Sequence, residues 1–167
     1  ANEFGWTYTQ ISFAASLRGL ESGFLVLLVG IFVDRWGPRK FLFGGTILTA
    51  LGYFVLSDIN SLNSYYGAFL IIGLGRGMLS DAVLATAIVN WFRAKAGAAS
   101  GFALAGFMAG GLLAPVIVKI VDTYGWRDAS TIFAVGLLII VLPLSLLFRH
   151  KPEQYGYLPD GEAEGAM

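Results

Sequence analysis

Five long apolar stretches constrain the fold of this chain more than any other feature of its sequence. A helix needs about 20 predominantly apolar residues to cross the hydrocarbon core of a bilayer, and each stretch approaches or exceeds that length. None of them alternates apolar and polar residues as a strand of a membrane barrel does. The pattern predicts an all-α, polytopic membrane helix bundle with spans at roughly 9–33, 40–57, 65–91, 96–121 and 129–149.

The charge content supports the same prediction. Charged residues form 13% of the 167-residue chain, about half of what a soluble domain carries. The 11 basic and 11 acidic residues balance, which argues against a nucleic-acid partner. The chain has no cysteine, so disulfides and thiolate metal sites are excluded. We therefore expect the lipid bilayer as a partner, and neither a metal nor a cofactor.

The basic residues divide unevenly between the two sides of the membrane that the five spans define. One side holds only Arg127 and, near a helix end, Lys119. By the positive-inside rule the richer side is cytoplasmic, which places the N-terminus outside and the polar tail 150–167 inside as a solvated linker. The richer side holds seven basic residues: Arg35, Arg39, Lys40, Arg93, Lys95, Arg149 and Lys151.

Two short segments resemble each other at an offset of 88 residues. Residues 33–39 read VDRWGPR and residues 121–127 read VDTYGWR, so Val, Asp, Gly and Arg coincide and an aromatic residue precedes each Gly. Three spans lie within one period, and an odd number of crossings places the copies on opposite membrane faces, as in an inverted-topology repeat. Chance similarity between helix-ending turns is the alternative. A repeat of three helices also predicts one further helix before Ala1.

Four charged residues lie near the middle of predicted spans, where a lone charge costs about 2.5–3.5 kcal/mol on insertion scales. Arg18 and Glu21 are three residues apart, share a helix face and can pair. Arg76 and Asp81 are five apart, about 140° around a continuous helix, so Arg76 needs a partner from another helix or a bound anion. The four are candidate substrate-binding residues, and a structural ion pair is the alternative for Arg18 and Glu21.

Small residues at helical spacing predict close packing between helices, because small side chains let helix backbones approach each other in lipid. The uncharged stretches 41–57 and 129–148 suit outer, lipid-facing positions. Pro143 interrupts the last span and predicts a kink there. The predicted packing glycines are Gly73, Gly77, Gly97, Gly101, Gly106 and Gly110.

The turn between the first two spans resembles a known motif. Residues 30–40 are similar to the loop between helices two and three of the major facilitator superfamily, G-x-x-x-D-R-x-G-R-R/K, with Pro38 inserted before the basic pair. Residues 74–77, LGRG, resemble the arginine-bearing motif of the fourth helix. Residues 124–127 and 152–156 are similar to bacterial monocarboxylate and oxalate–formate porters. The positions that carry the first motif are Gly30, Asp34, Arg35, Gly37, Arg39 and Lys40.

The resemblance implies that the chain holds helices two to six of a twelve-helix transporter with two six-helix halves. It implies a secondary active transporter of a small solute, with an organic anion such as a monocarboxylate as the candidate and a proton or ion as the coupling partner. In that scheme Asp34 and Arg35 form part of a cytoplasmic gate against the missing C-terminal half, and Arg76 lies beside the central cavity. The expected location is a bacterial inner membrane.

Two other classes of protein are alternatives to a transporter. An intramembrane protease requires a serine with a membrane histidine, or an aspartate after Gly-x-Gly. No histidine lies in a predicted span, and Gly73-Leu74-Gly75 is followed by Arg76. We therefore expect no enzyme and no catalytic residue. A non-transporting receptor or assembly protein on the same scaffold stays open, because a fold does not fix a function.

Overall fold

The computed structural model describes residues 5–149 together with residues 152, 156 and 159, and it describes no side chain at positions 18, 20, 22, 26 and 27. Within this part of the chain every regular element is helical, which confirms the all-α prediction. A π-helical turn, Leu137–Val141, joins the last two α-helices. The α-helices are α1 (Tyr8–Trp36), α2 (Pro38–Ser57), α3 (Leu62–Met78), α4 (Asp81–Trp91), α5 (Ala96–Gly111), α6 (Ala114–Gly136) and α7 (Leu142–Leu147).

Local polar residues set where α1 and α3 begin. The Thr7 hydroxyl accepts a hydrogen bond from the Gln10 backbone N–H (3.3 Å), and the Gln10 side-chain oxygen accepts one from the Thr7 N–H (2.9 Å). This reciprocal capping box satisfies N–H groups that have no partner inside the helix. The Ser61 hydroxyl accepts from the Ser64 N–H (3.2 Å) and caps α3 in the same way.

The starts of α1 and α3 and the end of α2 lie at one end of the bundle. The Tyr66 hydroxyl donates a hydrogen bond to the Gln10 carbonyl (3.0 Å), which ties α3 to α1. The Arg127 guanidinium donates one to the Ser57 carbonyl (3.3 Å), which brings α6 to the end of α2. We call this the Ser57 end.

The opposite end holds the turn between α1 and α2, at Gly37. Val33, Phe41 and Val83 share one buried cluster, which brings the start of α4 against this turn. At the end of α4, the Trp91 indole N–H donates to the Arg149 carbonyl (3.0 Å), so the chain beyond α7 returns to the same end. We call this the Gly37 end.

Gly125 reverses the chain inside α6. Its backbone angles are φ 81° and ψ 163°, and a positive φ is a conformation that glycine adopts far more readily than other residues. Residues 114–124 continue the direction of α5 toward the Ser57 end, while the part after Gly125 runs from Arg127 at that end back to Arg149 at the other. Among the described residues, the chain therefore passes five times between the two ends.

Three segments of the described chain are long and apolar enough to cross a membrane. They are Pro38–Ser57, Leu62–Trp91 and Ala96–Leu147. The last spans 52 residues and includes the reversal at Gly125, so it accounts for two of the five passes. Pro143 lies in the first turn of α7, directly after the π-helical turn, where the predicted irregularity occurs.

The third predicted span is broken into two helices. α3 ends at Met78 and α4 begins at Asp81, with Leu79 and Ser80 between them. The Leu79 N–H still donates to the Arg76 carbonyl (3.0 Å), so the chain continues in the same general direction toward the Gly37 end. The prediction of one continuous helix was wrong at this point, and the 140° angle between Arg76 and Asp81 does not apply.

Helix α2, which carries no charged residue after Lys40, lies at the centre of the described bundle. It contacts α1, α3, α4, α6 and α7, and its buried residues extend from Pro38 to Gly52. One strip of it remains exposed, including Leu51 and Val55. The prediction of an outer position was wrong for this helix, because its lack of charge reflects burial against other helices.

Glycines make the contact between α2 and α3 unusually close. A Cβ placed on Gly75 would lie 2.5 Å from the Thr49 backbone nitrogen and 2.9 Å from the Gly45 carbonyl oxygen. A Cβ on Gly52 would lie 2.9 Å from the Ile72 backbone nitrogen. The two backbones therefore touch along this seam, as small residues permit in membrane helices.

Candidate functional site

The turn at Gly37 has a fixed backbone and a charged exterior. Gly37 has φ 80° and ψ 153°, and its N–H donates to the Val33 carbonyl (2.8 Å). Pro38 then starts α2 at a position where its missing N–H costs nothing. Gly37, Pro38 and Val33 are buried, whereas the charged residues of the turn are exposed: Asp34, Arg35, Arg39 and Lys40.

Aromatic contacts hold this turn against the bundle. The Trp36 ring stacks on Phe41, with ring centres 6.3 Å apart and planes 24° apart. It also packs against Phe32 at 5.2 Å. Because Phe41 belongs to the buried cluster with Val33 and Val83, the orientation of the turn is coupled to the start of α4.

Three of the four charges of this turn oppose the dipoles of the helices that carry them, and only Arg35, in the last turn of α1, has the favoured sign. Asp34 lies in the last turn of α1, where a helix disfavours a negative charge. Arg39 and Lys40 lie in the first turn of α2, which contains no acidic residue, where a helix disfavours positive charge. The positions of Asp34, Arg39 and Lys40 do not serve the stability of their helices, and conflicts of this kind are expected where a sequence serves function.

The charges at the break between α3 and α4 show the opposite arrangement. Arg76 lies in the last turn of α3 and Asp81 in the first turn of α4. Each therefore has the sign that its helix end favours. The break thus lowers the cost of placing these two charges in the membrane. The continuous helix predicted from the sequence does not show this arrangement. The signal was present in Ser80-Asp81, a typical helix start inside an apolar run.

Arg76 lies in a part of α3 whose backbone packs closely against α1 and α2. Gly75 on one side faces Thr49 and Gly45 of α2, and a Cβ on Gly77 would lie 2.9 Å from Leu25 of α1. The Arg76 side chain itself is exposed. In the described part of the chain no hydrogen bond or ion pair to this guanidinium is present. The packing of α3 therefore fixes the position of Arg76, and its guanidinium can bind a partner that the described residues do not supply.

Glu21 faces the contact between α1 and α3. It lies one turn before Leu25, which packs on Gly77, and it is partly buried. Its Oε2 atom is fully buried and receives no hydrogen bond from any described residue. The Ser80 hydroxyl is also buried without a described partner. The side chain of Arg18 lies outside the described residues, so the Arg18–Glu21 pair stays a prediction.

The predicted packing glycines fall into two groups. Gly73 and Gly77 are buried in α3. Nothing in the described chain lies within 4 Å of a Cβ built on the four glycines of α5, so their packing roles stay predictions. The same is true of a Cβ on Gly30, whose role in the turn motif also stays a prediction. Sequence reasoning missed the seam glycines Gly45, Gly52 and Gly75. The four glycines of α5 are Gly97, Gly101, Gly106 and Gly110.

A second turn at the Ser57 end reproduces the Gly37 turn. Gly125 follows Gly37 by 88 residues, and its φ and ψ of 81° and 163° match the 80° and 153° of Gly37. The Arg127 guanidinium lies 4.6 Å from the centre of the Trp126 ring and also reaches the Ser57 carbonyl. Asp34 and Asp122 therefore lie at opposite ends of the bundle, which is the geometry that an inverted repeat predicts.

Comparisons with known proteins agree with these features. The oxalate:formate antiporter of Oxalobacter formigenes is 29% identical over 92% of this chain and 40% of its own length. The riboflavin transporter RibJ of Trypanosoma brucei brucei is 34% identical over 86% of this chain and 26% of its own length. Monocarboxylate transporter 11 of Homo sapiens is 38% identical over 57% of this chain and 20% of its own length.

The chain spans less than half the length of these relatives, which are named as transporters and not as enzymes. A sequence profile described as the Major Facilitator Superfamily matches residues 1–165. The match covers the apolar helices and both glycine turns, and it confirms the resemblance that the motif at residues 30–40 carries. This chain is an integral membrane protein that belongs to the Major Facilitator Superfamily.

Proposed function

We propose that this chain contributes helices two to six of a secondary active transporter that moves a small solute by rocker-switch alternating access. The observation that carries the proposal is the pair of glycine turns with matching backbone angles at opposite ends of the bundle. Two structurally similar units of opposite orientation can exchange conformations, which opens a shared cavity first to one face and then to the other.

In this proposal the membrane spans lie at roughly 9–33, 40–57, 65–91, 96–121 and 129–149. The Gly37 end carries Arg35, Arg39, Lys40, Arg93, Lys95 and Arg149, and the positive-inside rule makes it the cytoplasmic end. In this placement residues 150–167 form a cytoplasmic linker to the C-terminal half. A bacterial inner membrane is the location that fits this orientation.

The exposed charges of the Gly37 turn act as a cytoplasmic gate in this proposal. The C-terminal end of α1 destabilises the negative charge of Asp34. A positive group from another part of the protein, such as the N-terminus of a helix in the other half, would therefore stabilise this charge. Arg35, Arg39 and Lys40 offer cations to acidic groups or to anionic lipid. Contacts of this kind would close the cytoplasmic side and break when it opens.

Arg76 is the candidate for recognition of the solute. A guanidinium binds a carboxylate through two parallel hydrogen bonds, and Arg76 is held near mid-membrane with its side chain exposed. Two of the similar proteins carry oxalate, formate or monocarboxylate in their names. We therefore infer that the solute is a small organic anion, with Glu21 as a candidate carrier of the coupling proton.

Replacing Arg76 tests this assignment. In the full-length protein reconstituted in vesicles, Arg76→Ala is expected to lower uptake of the recognised anion about 10- to 100-fold, because a hydrogen-bonded charge is lost. Oxalate, formate and lactate serve as probes, and Arg76→Lys is expected to retain partial uptake with a raised KM. Wild-type uptake by Arg76→Ala would contradict the assignment. A loss of thermal stability in Arg76→Ala but not in Arg76→Lys, with unchanged KM in both variants, would assign Arg76 to the helix end alone.

A further inference from the structure

An apolar groove of about 450 Å³ lies between the ends of α4 and α7, at the Gly37 end of the bundle. Trp91 and Phe92 form one wall, and Leu147, Phe148 and Arg149 form the other. The hydrogen bond from the Trp91 indole to the Arg149 carbonyl (3.0 Å) ties the two walls together. Because the indole N–H is used in this bond, the groove is left with apolar ring surfaces and an arginine at its edge.

Arg149 lines this groove, and two further basic residues follow its α4 wall in the sequence. Arg93 directly follows Phe92, and Lys95 comes two residues later. No Asp or Glu occurs between Asp81 and Asp122 on the α4 side, nor between Asp128 and Glu153 on the α7 side. The sequence that forms the two walls therefore carries basic residues and no acidic one, although the net charge of the chain is zero.

We propose that this groove binds an anionic phospholipid of the cytoplasmic leaflet. One acyl chain lies along the aromatic walls, and the headgroup phosphate lies toward Arg149 and Arg93. A polar solute does not fit the apolar walls, whereas a lipid matches both the walls and the basic edge. Tryptophan and arginine residues at the ends of membrane helices belong at headgroup depth, and the cytoplasmic leaflet carries the anionic lipids.

A lipid bound there would bridge the ends of α4 and α7. These ends are joined in the described chain by the Trp91–Arg149 hydrogen bond, so a lipid that contacts both walls would reinforce that connection. The inference rests on the membrane placement in the proposed function, but it does not require that the protein transports an anion.

Quenching of Trp91 fluorescence tests this proposal. The full-length protein, with Trp91 as its only tryptophan, is placed in nanodiscs that contain brominated phosphatidylglycerol or brominated phosphatidylcholine. Phosphatidylglycerol is expected to quench at least about fivefold more effectively, since one basic residue near an anionic surface contributes about that factor. The double variant Arg93→Gln/Arg149→Gln is expected to bring the ratio close to one.

A variant that retains only Trp126, near the Ser57 end, is the matched control and is expected to show no such preference. Equal quenching of Trp91 by both lipids, or a preference that survives the double variant, would overturn the proposal. Native mass spectrometry of the wild-type protein provides a second measurement that needs no substitution: retained phosphatidylglycerol supports the site, and equal retention of both lipids opposes it. Anion uptake is measured separately, so loss of the lipid preference with intact uptake would reject this site alone.

Discussion

Gly75→Ala is expected to destabilise the full-length protein by about 3 kcal/mol or more, because overpacking against atoms that cannot move lies at the upper end of such effects. The added Cβ would lie 2.5 Å from the Thr49 backbone nitrogen and 2.9 Å from the Gly45 carbonyl oxygen. Both are backbone atoms, so relief requires α2 and α3 to separate. Thermal unfolding of the purified protein in detergent measures the effect.

Gly67→Ala is the matched control, because Gly67 lies in the same helix and no described atom comes within 4 Å of a Cβ built there. Alanine is the better helix former, so this variant is expected to be neutral or slightly stabilising. If both variants unfold at the wild-type temperature, the close approach of α2 and α3 at Gly75 is not present in the protein.

Asp34→Asn is expected to slow transport about tenfold while leaving insertion and folding intact. Its carboxylate lies at a helix end that disfavours it, so removal of the charge costs α1 nothing and removes the attraction to a positive partner in the other half. A change of about 1.4 kcal/mol in the barrier corresponds to that factor in rate. Solute counterflow in reconstituted vesicles measures it.

Asp58→Asn supplies the comparison for this prediction. Asp58 is also exposed and also lies at the C-terminal end of a helix, directly after α2, but it is at the Ser57 end. We expect wild-type counterflow from it. Equal rates in both variants and in the wild type would remove Asp34 from the gate.

The long apolar stretches and the repeated turn could be predicted from the sequence because each depends on local composition. Gly37 and Gly125 both have a positive φ. Glycine adopts this conformation far more readily than other residues, so a glycine at a turn is a direct indication of it in the sequence. The break after Met78 was missed, since neither Gly nor Pro occupies positions 79 and 80. Its remaining signal, the Ser80-Asp81 helix start, is weak within an apolar run.

The packing seam could not be predicted because it depends on which helices are neighbours. Gly45, Thr49 and Gly52 form a face of small residues on α2, but the sequence does not show that Gly75 and Ile72 lie opposite. The same limit explains the error on residues 41–57 of α2, whose lack of charge is compatible with either lipid or protein as their surroundings. The effect of the charges on the helix ends could also not be predicted, because it depends on where each helix begins and ends.

Cysteine accessibility tests most directly whether the two glycine turns lie on opposite faces of a membrane. This chain contains no cysteine, so Arg39→Cys and Tyr124→Cys introduce single reporters at two exposed positions, in a full-length protein otherwise free of cysteine. A membrane-impermeant maleimide is expected to label position 124 in intact cells and position 39 only in inside-out vesicles. Labelling of both positions from the same side would contradict the inverted repeat and the alternating-access function built on it.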